Sequence, residues 1–420
     1  MDSECFTRGV ADIVTREGLT TLLGLKKQLR VKHGIDATSP DLHLGHAANL
    51  WKLRALQEAG HKAVILLGDV TTRIGDPTGK SKTRPQLSKK DIEKNIRAIE
   101  KQIRAILLTS PKVFELRKSS EWYGKMRMAE FLHLLSQVTH ARLIERDMFR
   151  ERIKKGSEIF MHELVYPILQ GYDSVELRSD MTVIGSDQLF NEHMGRFFQE
   201  RFGQNPQVIV ALSLLPGLGG GEKMSKSLGN HIALSDSPRD KFGKAMRVAD
   251  ELIVSYLEAY TDVPTGEVRE IQKKLAGGMN PVRSQTTLLS ADSHADRTSN
   301  GMNPRDAKLV LAQALVRRYH GEAAAGKERE YFLQVFSKKE IPRNIETLFV
   351  NTKKPSDLLD LVCAADTGVS KAQALRLILQ GAVTIDGVRK TDRKEMVALR
   401  EGSILRIGPK KLFKIKNPPR

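Results

Sequence analysis

The chain has 420 residues, with 68 Lys and Arg against 50 Asp and Glu and a formal charge of +18. That length gives two or three domains with ample core, and the excess of cations favours a polyanionic partner, because released counterions drive such binding. Only Cys5 and Cys363 occur, too few and too far apart for a disulfide framework or a four-ligand zinc site. Asp2 and Glu4 stand where a leader would be basic, and no apolar run approaches the ~18 residues that span a bilayer, so a cytoplasmic protein with no membrane partner is expected.

In chain order, RVKHGID (30–36) reads as a short strand and AVILLGD (63–69) as a buried one. Between them Leu50, Leu53 and Leu56 recur at helical spacing. Thr38 or Ser39 is placed to cap this helix, with Pro40 in its first turn, Asp41 at its positive end and Gly60 past its last. A strand, helix, strand start predicts a parallel nucleotide-binding sheet, with ligands where strands end and helices begin. From 86 to about 165 the pattern is helical and charged, and strands return at TVIGSD (182–187) and PQVIVALSLL (206–215). Two halves of one sheet therefore flank a helical insertion.

The glycine-rich loop GLGGGEKMSKSLGN (217–230) closes a first domain, 1–230. Successive helices fill 231–345, interrupted by a polar insertion at 278–303 in which GMNP occurs at 278–281 and recurs at 301–304. One short echo is not a repeat architecture. A linker with Pro342 and Pro355 leads into 352–420, which carries helices at DLLDLVCAAD and SKAQALRLILQG, then strands AVTIDG and SILRIG with a turn at Asp386 and Gly387. That stretch holds 15 Lys and Arg against 7 Asp and Glu, an excess of eight in 69 residues. Amphipathic helices with cations outside suit a nucleic-acid-binding module better than a generic basic tail.

Three motifs carry chemistry. GDPTGKS (75–81) is not a phosphate loop, since three residues separate its glycines where the pattern needs four. It leaves a basic segment, Lys80, Lys82 and Arg84, beside a strand-end carboxylate, Asp76. In HLGH, His43 and His46 share one helix face. A metal pair would need a third ligand, and none is suggested nearby. Phosphate binding fits better, because a helix N-terminus offers N–H groups and partial positive charge, and imidazole donors there could stabilise a nucleotide phosphate. Gly45 would let a flat base lie on the backbone, while capped structural histidines remain the plain alternative. In KMSKS, Lys223 and Lys226 suit a leaving pyrophosphate, and Gly219 to Gly221 would let the loop close.

HLGH followed about 180 residues later by KMSKS is the signature pair of class I aminoacyl-tRNA synthetases. The strings GIDATSPDLHLGH, GDVTTRIGDPTGKSKTR, YPILQGYDSV, IGSDQLFN and GEKMSKSLGN make the chain resemble bacterial tyrosyl-tRNA synthetases nearly end to end. Its C-terminal module is similar to a small RNA-binding domain shared with a ribosomal protein, and only the insertion at 278–303 has no match. The resemblance implies an α/β fold: a Rossmann-like parallel sheet with a helical insertion, then an α-helical anticodon-side domain and a small α+β RNA-binding domain. It also implies a homodimer that uses L-tyrosine, ATP with Mg2+, and tRNA.

Carried over position by position, the resemblance places Asp36, Thr38, His43 and His46 around ATP, with Gly45 under the adenine and Met224 and Ser225 beside the nucleotide. Lys80, Arg84, Lys223 and Lys226 would hold pyrophosphate. Asp76, Tyr166 and Gln170 would clamp the substrate ammonium with help from Thr71, Gln188 would face the carboxyl end, and Asp173 would accept the phenolic hydrogen bond. Tyr166, Gln170 and Asp173 share one helix face, and a cation needs such oxygens. Lys32 departs from the pattern, since the family's best-known form has a tyrosine there; Ala37 stands where proline is usual. Two other readings stay open. YPILQGYD and the C-terminal module speak against a tryptophan-specific class I synthetase, and intact HLGH and KMSKS speak against an RNA-binding paralogue with altered catalysis.

Overall fold

The structure, a computed structural model, describes residues 3–25, 27–76, 87–225, 228–278, 301–337, 345–352, 354–366, 369–393, 395–408 and 411–418. It divides into two compact units, 1–329 and 330–420. The first begins with β1 (Val10–Val14), α1 (Arg16–Gly24), β2 (Arg30–Ile35), α2 (Leu44–Glu58), β3 (Lys62–Leu67), the short α3 (Thr71–Ile74), α4 (Lys89–Ile106) and β4 (Phe114–Lys118). Four helices follow, α5 (Ser120–Tyr123), α6 (Met128–Ser136), α7 (His140–Ile144) and α8 (Asp147–Lys154), then the long α9 (Met161–Leu177), β5 (Met181–Gly185), α10 (Leu189–Arg201) and β6 (Val208–Leu212).

The six strands form one sheet in the order β1-β6-β5-β2-β3-β4, parallel except for β1, which runs antiparallel to β6. VIVAL of β6, and KAVILL of β3 after its first residue Lys62, are apolar because both faces are covered. Val31, Ile35, Ala63 and Ile65 pack on one face against Leu50, Leu53 and Leu56 of α2 and Ile96, Ile99 and Ile103 of α4. On the other face Val64 and Leu66 meet Trp122 and Leu177. β2 and β5 are sheet neighbours whose following helices, α2 and α10, belong to the two halves; the crevice at their carboxyl ends is where such sheets bind ligands.

Three expectations change. β4 lies inside the stretch read as helical, because FELRK is a charged, half-exposed edge strand whose apolar signal is weak. The helix after β2 starts at Leu44, and its cap is His43 rather than Thr38 or Ser39. Gln102 of α4 binds the Leu42 amide and the Pro40 carbonyl at 2.9 and 2.8 Å, which holds that segment as a loop. Asp76 follows α3 rather than ending a strand.

Helices α11 (Pro238–Ala245), α12 (Ile253–Tyr260), α13 (Thr265–Gly278) and α14 (Pro304–His320) complete this unit, and α15 (Glu322–Phe332) runs across the division. Most of the polar insertion lies outside the described residues, but the second GMNP starts a helix: Asn303 caps α14 and Pro304 occupies its first turn.

The second unit holds β7 (Glu346–Phe349), β8 (Ser356–Asp357), α16 (Leu358–Ala365), α17 (Lys371–Leu379), β9 (Val383–Ile385), β10 (Val388–Lys390), β11 (Met396–Val397), β12 (Ile404–Ile407) and β13 (Lys411–Lys416). Five of its strands pair in the order β10-β9-β12-β13-β7 over a core that includes Leu361, Ile378 and Ile415. The turn at Asp386 and Gly387 has φ of 49° and 84°, the left-handed pair that a tight hairpin requires.

Candidate active site

One cavity of about 960 Å³ opens where β2, β3, β5 and β6 end. It is lined by Asp36, Thr38, His43, Gly45, His46, Thr71, Asp76, Tyr166, Gln170, Asp173, Gln188, Lys223, Met224 and Ser225, residues drawn from both halves of the sheet. The remaining three candidates, Lys80, Arg84 and Lys226, lie outside the described residues.

At one end the two histidines interlock. His43 Nδ1 accepts from the Gly45 amide at 3.2 Å, His46 Nδ1 accepts from the His43 amide at 3.3 Å, and the ring centroids stand 4.1 Å apart. With both Nδ1 atoms acting as acceptors, each neutral ring carries its proton on Nε2, which is then the donor position for a ligand. Gly45 has a packing reason of its own: a Cβ there would lie 3.0 Å from His43 Cε1. The segment behind the KMSKS loop is laced to this helix start, since Leu44 N donates to Ile232 O at 3.1 Å and Leu234 N to Leu42 O at 2.8 Å. Lys223 pairs with Asp187. Asn230, which sequence reasoning missed, accepts from the Ser225 amide at 2.8 Å and donates to the Lys223 carbonyl at 3.3 Å.

The other end is a buried side-chain network. Asp36 accepts from Thr71 Oγ1 at 2.7 Å and from the Tyr166 hydroxyl at 2.9 Å. Gly68 makes room for this, because a Cβ would fall 2.2 Å from Thr71 Oγ1 and 2.4 Å from Asp36 Oδ1. Burial and the neighbouring Asp36 and Asp76 push the Tyr166 hydroxyl well above its ordinary range, so it stays a donor. Asp76 accepts from Gln188 Nε2 at 2.8 Å and faces Arg146 at 3.8 Å, another residue the sequence left unread.

Gln170 is held between Asn191, which donates to its Oε1 at 2.8 Å, and Glu192, which accepts from its Nε2 at 2.8 Å. Asp173 is buried and accepts from Trp122 Nε1 at 3.0 Å. Burial raises its carboxyl to about 7, with Lys32 as the largest opposing influence. Lys32 itself is 1 % exposed, paired with Glu192 at 3.0 Å and donating to Ser174 Oγ at 2.6 Å. Glu192 and Gln207, which completes the cluster by donating to Glu192 at 2.7 Å, carry no sequence signal beyond an apolar helix and a strand start.

Such a cavity pairs donors suited to phosphate with carboxylates and amides suited to an ammonium group. Comparison with known proteins gives the same direction. Residues 25–337 match the family model for class I tRNA synthetases of the W and Y type. The tyrosine–tRNA ligase of Thermotoga maritima is 40% identical over 408 residues, 97% of this chain and 95% of that protein. That of Moorella thermoacetica is 42% identical over 413 residues, 97% of this chain and 94% of that one. Among solved structures, a C-terminally truncated mitochondrial tyrosyl-tRNA synthetase from Aspergillus nidulans superposes with a TM-score of 0.62 at 21% identity, covering 79% of this chain and 93% of that one. The tryptophanyl-tRNA synthetase of Plasmodium falciparum gives 0.53 at 17% identity, over 75% and 80%. At these identities the structural matches speak for the fold alone.

Proposed function

The chain belongs to the class I tRNA synthetases of the tryptophan and tyrosine type, and from that premise we propose how its cavity joins tyrosine to tRNA. It is an aminoacyl-tRNA synthetase that uses ATP to ligate tyrosine to tRNA. In the proposed course the tyrosine carboxylate attacks the α-phosphate of ATP and pyrophosphate leaves. A terminal ribose hydroxyl of the tRNA then takes the acyl group from tyrosyl-adenylate, releasing AMP. No side chain acts as nucleophile.

In this reading the protein supplies alignment and charge stabilisation. His43 and His46 donate from Nε2 and Lys223 from its ammonium to phosphate oxygens, each worth on the order of 3 kcal/mol in the transition state. Lys80, Arg84 and Lys226 would complete the pyrophosphate site. Asp76, Tyr166 and Gln170 take the substrate ammonium, and Asp173 accepts the phenolic hydrogen. Mg2+ would enter with the triphosphate and offset its charge.

The observation that carries the reading is that the phosphate-type donors and the ammonium-type acceptors line one cavity. ATP–pyrophosphate exchange with a panel of amino acids tests it: exchange confined to tyrosine is expected, and exchange driven by tryptophan, or by none, rejects it.

Residues 1–230 carry this chemistry, 231–345 serve the anticodon side, and the cations of 352–420 bind tRNA. Homodimer formation is part of the proposal, supported by Met128, Leu132, Ile153 and Met161, which are 71 %, 56 %, 51 % and 75 % exposed on the helical insertion. A cytoplasmic location is proposed from the bacterial relatives and from a sequence with two cysteines, too few for a disulfide framework. Among the described residues no helix is long and apolar enough to cross a membrane.

A further inference from the structure

We propose that Lys32 is a positioning residue for the amino-acid side chain: its ammonium, fixed by Glu192 and by Ser174 next to Asp173 in the chain, favours the ionised form of Asp173, which accepts the tyrosine hydroxyl. The inference rests on the tyrosine reading above and extends it to a residue that reading does not use.

Lys32 sits in β2, a central strand, paired with Val64 of β3 and Thr182 of β5. A lysine there is tolerated only with partners, because an unpaired buried charge is expensive. Two of its three donors are placed by Glu192 Oε2 at 3.0 Å and Ser174 Oγ at 2.6 Å. Ser174 is the residue next to Asp173 on α9, and both Lys32 and Asp173 line the cavity. Glu192 is satisfied elsewhere, accepting from Gln170 at 2.8 Å and Gln207 at 2.7 Å as well as from Lys32.

Among the described residues Asp173 has no ion pair of its own. The groups facing it are Lys32 from β2, Trp122 and Tyr123 from α5, Tyr166 along α9 and Glu192 from α10. Of these Lys32 alone is positive, so one ammonium serves two buried carboxylates. The protonation state decides what the site can read. An ionised Asp173 accepts a charge-assisted bond from a phenol, and phenylalanine leaves that buried carboxylate one donor short, with the Trp122 bond as its remaining partner. Hydroxyl-reading sites reject the analogue lacking the hydroxyl in this way, and tyrosine-specific synthetases are the standard example. A protonated Asp173 loses much of that contrast, since its own O–H needs no phenol to satisfy it.

The test uses the full chain in ATP–pyrophosphate exchange with tyrosine and with phenylalanine, from about pH 6 to about pH 9 around the Asp173 transition. Lys32→Met is expected to lower the tyrosine over phenylalanine ratio of kcat/KM by about tenfold or more near neutral pH. The change falls in KM for tyrosine, leaves KM for ATP alone, and recovers at higher pH than in the wild type. Because Lys32→Met strands Glu192, the paired change Lys32→Met with Glu192→Gln removes the ion pair as a neutral unit. The paired variant is expected to keep the displaced pH profile. A wild-type ratio and profile in the paired variant would show that Lys32 only neutralises Glu192, and would overturn the proposal, as would an unchanged Lys32→Met. Failure of the wild type to exchange with tyrosine sinks the parent reading instead, and is seen before any variant is made.

Discussion

The two ends of the cavity are built in opposite ways. At the proposed nucleotide end the groups come in two short local strings: HLGH caps its own helix, and Lys223 is 58 % exposed on a glycine-rich loop. At the proposed amino-acid end, Lys32, Asp173 and Glu192 are 1 %, 3 % and 1 % exposed and come from β2, α9 and α10. A phosphate arrives with its own charge and is met by adaptable donors in partial solvent. A single hydroxyl must be told from its absence, and that demands fixed, desolvated partners.

The largest effect expected at the open end is on rate. His46→Ala or Lys223→Ala should slow pyrophosphate exchange by about 10²- to 10³-fold while calorimetric affinity for tyrosine stays near wild type. Tyrosine affinity falling in parallel would erase the division between the two ends.

At the buried end the contrast shows in stability. The Asp173 carboxyl titrates at about 7 in the folded chain against an ordinary 3.8, so its ionisation opposes folding, and native stability falls as pH climbs between those values. Asp173→Asn cannot ionise, and should be more stable than wild type by ~4 kcal/mol at about pH 8, with the gap closing toward about pH 4. Urea unfolding at both pH values checks this, and parallel stability curves would show that Asp173 is not the strained group. The same variant should lose its preference for tyrosine over phenylalanine.

The smallest effect concerns the loop's own scaffold. Asn230→Ala removes one half-exposed bond to the Ser225 amide and one exposed bond to the Lys223 carbonyl, and should slow exchange by about tenfold at most without moving KM for tyrosine. A loss as deep as that of Lys223→Ala would mean that the loop is as rigidly specified as the buried end.

The same contrast explains what could be read in the sequence. HLGH, KMSKS and YPILQGYD are local strings, and α9 presents Tyr166, Gln170 and Asp173 as the helical spacing requires. Glu192, Gln207, Arg146 and Gly68 matter only through contacts with residues far off in the chain: Gly68 is needed because Asp36 and Thr71 meet over it. β4 was hidden by charged residues that suit an edge, and the start of α2 by Gln102, a partner on another helix. Lys32 could be singled out as unusual but not explained, because its partners come from α9 and α10.

The backbone stitching between residues 42–44 and 232–234 has a consequence for how this chain can vary. His43 faces Ala233 as one rung of a small ladder, so the distance from the imidazoles to the lysine loop is set by that ladder and not by the length of polypeptide between them. Helices α5 to α8 can gain or lose turns at their surface ends, since lengthening a connection adds little entropy, while the two halves of the proposed phosphate site stay in register.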